Sequence, residues 1–306
     1  MPKNLRFQPQ ANMIHVVSTR CLQGFLFLRP SAHVNKIIAG VLGRALSRFQ
    51  DRIELHAYVF MSNHYHLILT AKDQQSLSQF MQYLNQNLSR EIGRLHHWKN
   101  HLWQTNYASH LVLDEEGLVS QFKYILSNSV KEGLVSHPQL WPGLHCYSQI
   151  VERRRVKGLW IDRTRLYNAK RTKKSEHLTE DDFSTLYEIK LTRPEYWVHL
   201  SSEEYREMIK SWTQEICQAY KEQEFLGVKK VRESGVFVSR IPKAGHRPLC
   251  KAGCVQLWIE FKKAYREFRN QYYYASQMYR DALNEGVIDL KELYPSGGFI
   301  HGMVPT

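Results

Sequence analysis

The chain has 306 residues, 43% hydrophobic, 12% aromatic and 23% charged, enough for one large or two modest domains and too apolar for a disordered or fibrous protein. Lysine and arginine number 42 against 29 acidic residues, and the net charge of +13 points to a polyanionic partner, nucleic acid or an anionic surface. Five scattered cysteines (Cys21, Cys146, Cys217, Cys250, Cys254) argue against a disulfide framework, no stretch reaches the about 18 apolar residues of a membrane span, and the first residues lack the apolar run of a signal peptide, so a cytoplasmic protein is expected.

Residues 14–19 read as a strand. After Pro30 and Ser31, the apolar positions Val34, Ile37, Ile38, Val41, Leu42, Ala45, Leu46 and Phe49 recur at helical spacing. Two strand-like runs, 53–60 and 64–70, are separated by Met61, Ser62 and Asn63, which is hairpin spacing. A second helix carries Leu77, Phe80, Met81, Leu84, Leu88, Ile92 and Leu95 on one face; a strand is expected over 102–113 and a third helix over 116–131. This order predicts an α+β fold, a ferredoxin-like antiparallel sheet with helices on one face.

Residues 150–174 carry ten basic and two acidic side chains, including Arg153, Arg154, Arg155, Lys157, Arg163, Arg165, Lys170, Arg171, Lys173 and Lys174. A domain junction is placed there, dividing the chain into 1–150, a basic junction 151–175 and a mainly helical domain 176–306 of unassigned role. The junction reads either as a solvated linker or as a strip that follows a phosphate backbone. Beyond it, Thr179 with Asp182 and Ser201 with Glu204 resemble helix N-caps, the latter ahead of an apolar stripe from Tyr205 to Ala219. From Trp258, Phe261, Tyr265, Phe268, Tyr272, Ala275, Tyr279 and Ala282 form a heptad-like seam, suited to intramolecular packing or to a coiled-coil dimer. The Gly/Pro-rich tail reads as an extended arm or loop.

The chemistry concentrates at two places. His64 and His66 stand two apart at the start of a strand, so their imidazoles share a face and form a half-site for a divalent metal; a surface or packing pair has the same pattern. Tyr124 and Asn128, four apart on the third helix, share one helical face. A phenol there can be a nucleophile and an amide oxygen a metal donor, though Tyr124 fits an ordinary amphipathic aromatic equally by spacing. His246, Cys250 and Cys254 lack both a fourth ligand and the usual Cys-x2-Cys knuckle, which disfavours zinc. His56 reads as a neighbour of the histidine pair or as an exposed strand residue, and Trp98, Trp103 and Tyr107 as base-stacking or core aromatics.

Together these residues resemble the HUH single-tyrosine transposases, and within them the REP-associated tyrosine transposases of bacteria. The resemblance runs through His15–Arg20, AYVFMSNHYHLIL (57–69), LWQTNYASHLV (102–112), KYILSNSVKEGLV (123–135) and WPGLHCYS (141–148), about half the chain. It implies His64, His66 and Asn128 as metal ligands for Mg²⁺ or Mn²⁺, Tyr124 as nucleophile, and nicking and strand transfer on single-stranded DNA with hairpin-forming palindromic repeats, without an organic cofactor. It also implies a bacterial, nucleoid-associated enzyme; a monomer and a homodimer are both compatible. Arg20, Arg90, Arg94, Lys99, Lys123 and Lys131, with Arg153, Arg154 and Arg155 in the junction, are the phosphate-contact candidates. The chain departs from the family pattern at Ser62 and Ser129, where proline is usual; neither change removes a ligand or the nucleophile. A non-cutting binding module and a metal phosphodiesterase using water are the rival readings.

Overall fold

The computed structural model describes residues 5–172, 177–238, 249–284 and 294–297. In chain order they form β1 (Met13–Arg20), α1 (Ala32–Arg48), β2 (Ile53–Phe60), β3 (His64–Ala71), α2 (Gln74–Leu95), β4 (Ala108–Val112), α3 (Glu115–Lys131) and a short α4 (Cys146–Ile150). There follow β5 (Lys157–Ile161), α5 (Arg163–Thr172), β6 (Ser184–Glu188), α6 (Ser202–Ala219), α7 (Val228–Glu233), β7 (Cys250–Lys251) and α8 (Val255–Asn284). The helices begin where side chains satisfy free backbone N–H groups: Ser31, Asp73 and Asp114 accept from Val34, Ser76 and Gly117, and Ser201 with Glu204 makes a full capping box.

The main sheet has the order β2-β3-β1-β4-β7, antiparallel except for the short parallel pair β4–β7. Its first four strands reproduce the expected ferredoxin-like arrangement. Side chains alternate across it. On one side, Tyr65 donates to Asn85 of α2 at 2.5 Å, and α2 meets α1 through the Phe49–Phe80 ring contact at 5.8 Å. On the other side, His66 and His110 face α3, where they reach Tyr124 and Gln121. The first two helices therefore share one face as expected, and the third covers the opposite face. A further layer, α6, packs outside α3 through Phe122, Trp197 and Trp212.

The basic stretch is a folded segment rather than a connector. It supplies β5, which pairs with β6 and lies against the outer face of α1. Gly40 and Gly158 make the crossing possible, because a Cβ on either would run into the other segment's backbone. The expected helix after Thr179 is absent: Asp182 does accept from Thr179, but a three-residue turn follows and leads into β6. The strand expected over 102–113 is confined to Ala108–Val112, with Trp103 adding only an isolated bridge to Cys21. Lys173, Lys174, His246 and most of the tail lie outside the described residues. One continuous core runs from Ile14 to Val231, and a second, smaller one joins Leu111, Cys250, Phe261, Tyr265 and Phe268. The aromatic seam is thus used within the chain; Trp258, its first member, is exposed.

Three histidines are buried as neutral, doubly bonded polar links. His15 bonds Gln8 and Ser109, each at 3.0 Å; His56 donates to the Thr192 carbonyl at 3.0 Å and accepts from Thr70 at 2.8 Å; His145 accepts from the Tyr147 N–H and donates to the Ile125 carbonyl. His56 is therefore neither exposed nor a site residue; it ties β2 to the segment before α6. Burial pushes His56 down to about 4, partly opposed by its bond to Thr192. Below its ordinary value of 6.5 the unfolded chain takes up the proton first, so this contribution is complete above 6.5 and is lost as pH falls towards 4. The expected stability advantage of wild type over His56→Gln, read from urea midpoints, shrinks by about 1.4 kcal/mol per pH unit in that window. An advantage that stays constant with pH contradicts this role.

Candidate functional site

The register of β3 against β1 sets the site, with Arg20 opposite His64 and Ser18 opposite His66. His64 and His66 project to the same side of the sheet, ring centroids 5.1 Å apart. The turn before them is held by three backbone bonds, from Cys21 to Asn63, Leu28 to Ser62 and Met61 to His64. The Asn63 amide oxygen lies 2.7 Å from His64 Nδ1 and accepts its N–H, which fixes the tautomer and leaves the Nε2 lone pair free.

Helix α3 crosses this face. The Tyr124 hydroxyl lies 3.4 Å from His66 Nε2, the rings meeting edge-on at 5.1 Å. One turn on, Asn128 is buried, and its Nδ2 donates to the Tyr124 carbonyl at 3.4 Å. The helix continues to Lys131 with Ser129 in the place of the usual proline, so Asn128 sits inside a regular turn. Burial, with the Arg20 charge, pushes His64 down to about 4 against an opposing bond to Asn128. Burial also holds His66 well below its ordinary value, with His64, Arg20 and His110 adding to the effect. Both imidazoles are neutral near pH 7 and present lone pairs rather than charge.

Two neutral imidazoles and a carboxamide oxygen fit a divalent cation of the Mg²⁺ or Mn²⁺ kind. Among the described residues no three His, Cys, Asp or Glu side chains come together, so a third side-chain donor beside His64 and His66 would be of another kind, such as the Asn128 carboxamide. Beside it opens a cleft of about 260 Å³, walled by Arg20, Asn63, His64, Tyr124 and Glu132. Its far wall comes from the C-terminal half: Leu226, Val231 and Ser234. Tyr124, which lines the cleft, is 37% exposed.

The structure thus brings together His64, His66, Tyr124, Asn128 and Arg20, with the Lys131 ammonium 5.7 Å from the Tyr124 ring. The other basic candidates do not line the cleft. Lys123 pairs with Glu215 at 2.5 Å. Arg90 and Arg94 belong to α2, across the sheet, where Arg94 pairs with Glu91. Arg153, Arg154 and Arg155 are exposed beside Glu203, Glu152 and Glu188. Trp103 donates to the Asn85 carbonyl, Trp98 packs on Phe27 and Tyr107 is buried, so these aromatics serve packing. Asn63, Glu132 and the 226–234 wall were not singled out by sequence; only Asn63, adjoining the histidine pair, carried a local signal.

The family described as "Transposase IS200 like" matches residues 30–128, the segment that contains His64, His66, Tyr124 and Asn128. This segment is similar to the IS200-like transposases. Among curated proteins no match is found. Of solved structures, a REP-associated tyrosine transposase bound to a REP hairpin is similar over 50% of this chain and 87% of that one, at 18% identity and a TM-score of 0.38. A Deinococcus radiodurans R1 protein described provisionally as a transposase is similar over 37% of this chain and 88% of that one, at 20% identity and a TM-score of 0.29. The assignment rests on the family match. The matched segment accounts for about a third of the chain, and no described helix is long and apolar enough to cross a membrane.

Proposed function

We propose that the protein nicks and rejoins single-stranded DNA next to hairpin-forming palindromic repeats, through a phosphotyrosine on Tyr124, in the manner of the REP-associated transposases. The observation that carries this reading is the meeting of the hydroxyl of Tyr124, a partly exposed residue, with the edge of His66, beside His64 and Asn128.

His64, His66 and Asn128 would hold Mg²⁺ or Mn²⁺. When bound there, the cation would withdraw electron density from the scissile phosphate. Arg20, in the cleft wall with Tyr124, and Lys131, near the Tyr124 ring, position the phosphate backbone. The phenol loses its proton, its oxygen bonds to phosphorus, and the bond from phosphorus to the 3′ oxygen breaks. That oxygen takes up a proton, leaving a 5′-phosphotyrosine and a 3′-hydroxyl. Because the linkage is conserved in energy, a 3′-hydroxyl can attack in reverse and restore the strand. The buried Asn128 amide, bonded to the Tyr124 carbonyl, keeps the nucleophile's turn in place.

A labelled hairpin-tailed strand incubated with Mn²⁺ should become covalently attached to the wild type and not to Tyr124→Phe. Cutting by Tyr124→Phe would establish water as the nucleophile, and an absence of cutting in both would leave a binding module. Separately, Asn63→Ala releases the His64 tautomer, and calorimetry should give Mn²⁺ affinity lower by about 10–100-fold at an unchanged melting temperature. Unaltered affinity would remove Asn63 from the site.

A further inference from the structure

Helix α8 spans 30 residues and uses only one stripe for packing. Phe261, Tyr265, Phe268 and Ala275 are buried, with Phe7 stacked on Phe268 at 4.5 Å between ring centroids. Along one flank of that stripe run Lys262, Arg266, Arg269, Tyr273 and Arg280, spaced 4, 3, 4 and 7 residues, so they form a single ridge. All five are exposed. Glu260, Glu267 and Asp281 fall on the opposite flank with Lys263, and among the described residues none of the ridge cations makes an ion pair. At its start, Trp258 lies beneath the Lys262 ammonium at 4.0 Å. Elsewhere on the surface Arg153, Arg154 and Arg155 each have a carboxylate partner, while exposed cations such as Lys36, Arg48, Arg165 and Lys229 make no ion pair among the described residues; the α8 cations differ in forming one row.

The direction of α8 gives the ridge its meaning. Asp114, the cap of α3, accepts the N–H groups of Gly253 at 3.0 Å and Cys254 at 2.8 Å, which fixes the start of α8 beyond the Val112 end of β4. The Tyr265 hydroxyl accepts from the Leu5 N–H, and the adjoining Arg6 reaches over Tyr107, next to the other end of β4. In the register, Ala108 pairs with Ser18, and Ser18 with His66, so Tyr107 adjoins the end of the sheet that carries the histidines, while α8 itself packs on Leu111, on the α1/α2 side of the sheet. From Tyr265 to Arg280 the helix continues for about 22 Å, at 1.5 Å per residue.

We propose that this ridge of α8 docks the double-stranded stem of the hairpin whose single-stranded flank enters the Tyr124 cleft. The inference rests on the DNA-nicking reading of that cleft. An unpaired row of cations over several helical turns matches the regular phosphates of a duplex, and guanidinium groups with an interposed tyrosine provide donors for them without reading sequence. The stem contacts then add affinity for hairpin substrates over bare strands.

The test uses the full chain and its K262Q/R266Q/R269Q/R280Q variant, with a fluorescent DNA hairpin bearing a single-stranded tail and the tail alone as probes. Anisotropy titrations across a salt series are expected to show hairpin affinity lowered at least tenfold and the slope of log K against log salt reduced by about 3–4. Affinity for the tail should stay within twofold, as should covalent capture of the tail by Tyr124. The triple variant R266K/R269K/R280K, which keeps the charge, should retain hairpin binding. Hairpin affinity unchanged in the neutral variant, or lost equally for both probes, overturns the proposal, as does capture by phosphatidylserine vesicles with unchanged hairpin binding. Capture at Tyr124 is scored separately: if no adduct forms while the ridge variant loses hairpin binding, the nicking reading fails and the ridge stands.

Discussion

Antiparallel pairing of β3 with β1, Arg20 opposite His64 and Ser18 opposite His66, fixes which way two imidazoles point, and the rest of the site is built against that choice. A slip of one residue would turn His64 and His66 into the layer occupied by α1 and α2 and put Tyr65 in their place. The slip is resisted because Tyr65, Leu67 and Leu69 are fully buried on the α1/α2 side, where the histidines would have to enter. The same hydrophobic pattern that folds the sheet therefore presents the histidines to α3. Burial then keeps them neutral, and Asn63 orients one of them, so the ledge offers lone pairs at neutral pH.

The family-matched segment, residues 30–128, does not form the cleft by itself. α3 is clamped between the sheet and α6 by the Phe122, Trp197 and Trp212 rings, and the segment from Leu226 to Ser234 supplies the wall facing Arg20 and His64. That segment is anchored at both ends: Leu226 and Gly227 donate to Gly133 and Leu134 just past α3, and the Val236 carbonyl accepts from Leu26. His56 and Thr192 add a buried link between the halves. The C-terminal half thus shapes the space around the nucleophile, while its last helix, on the α1/α2 side of the sheet, carries an unpaired basic ridge.

Much of this was readable in the sequence wherever one period or one spacing controls the outcome. His-x-His on a strand and Tyr-x3-Asn on a helix each specify a shared face, and Ser201 with Glu204 specifies a helix start; all three are local. Residues 151–175 were not legible, because their charge suggested solvent while Gly158, without a side chain, let β5 press against α1 at Gly40. Thr179–Asp182 gave a capping signature that a single turn also satisfies. His56 looked like part of a histidine cluster, but its partners, Thr70 and Thr192, are brought to it by tertiary packing. The cleft wall from 226–234 has no motif at all; it is defined by where the chain returns.

The central claim is that two strand imidazoles and a helix carboxamide converge on one divalent cation next to the Tyr124 hydroxyl. Crystals grown with Mn²⁺ and measured at the manganese edge test it directly. The account predicts an anomalous peak within coordination distance of His64, His66 and Asn128. A fully loaded crystal whose peaks all lie elsewhere would contradict it.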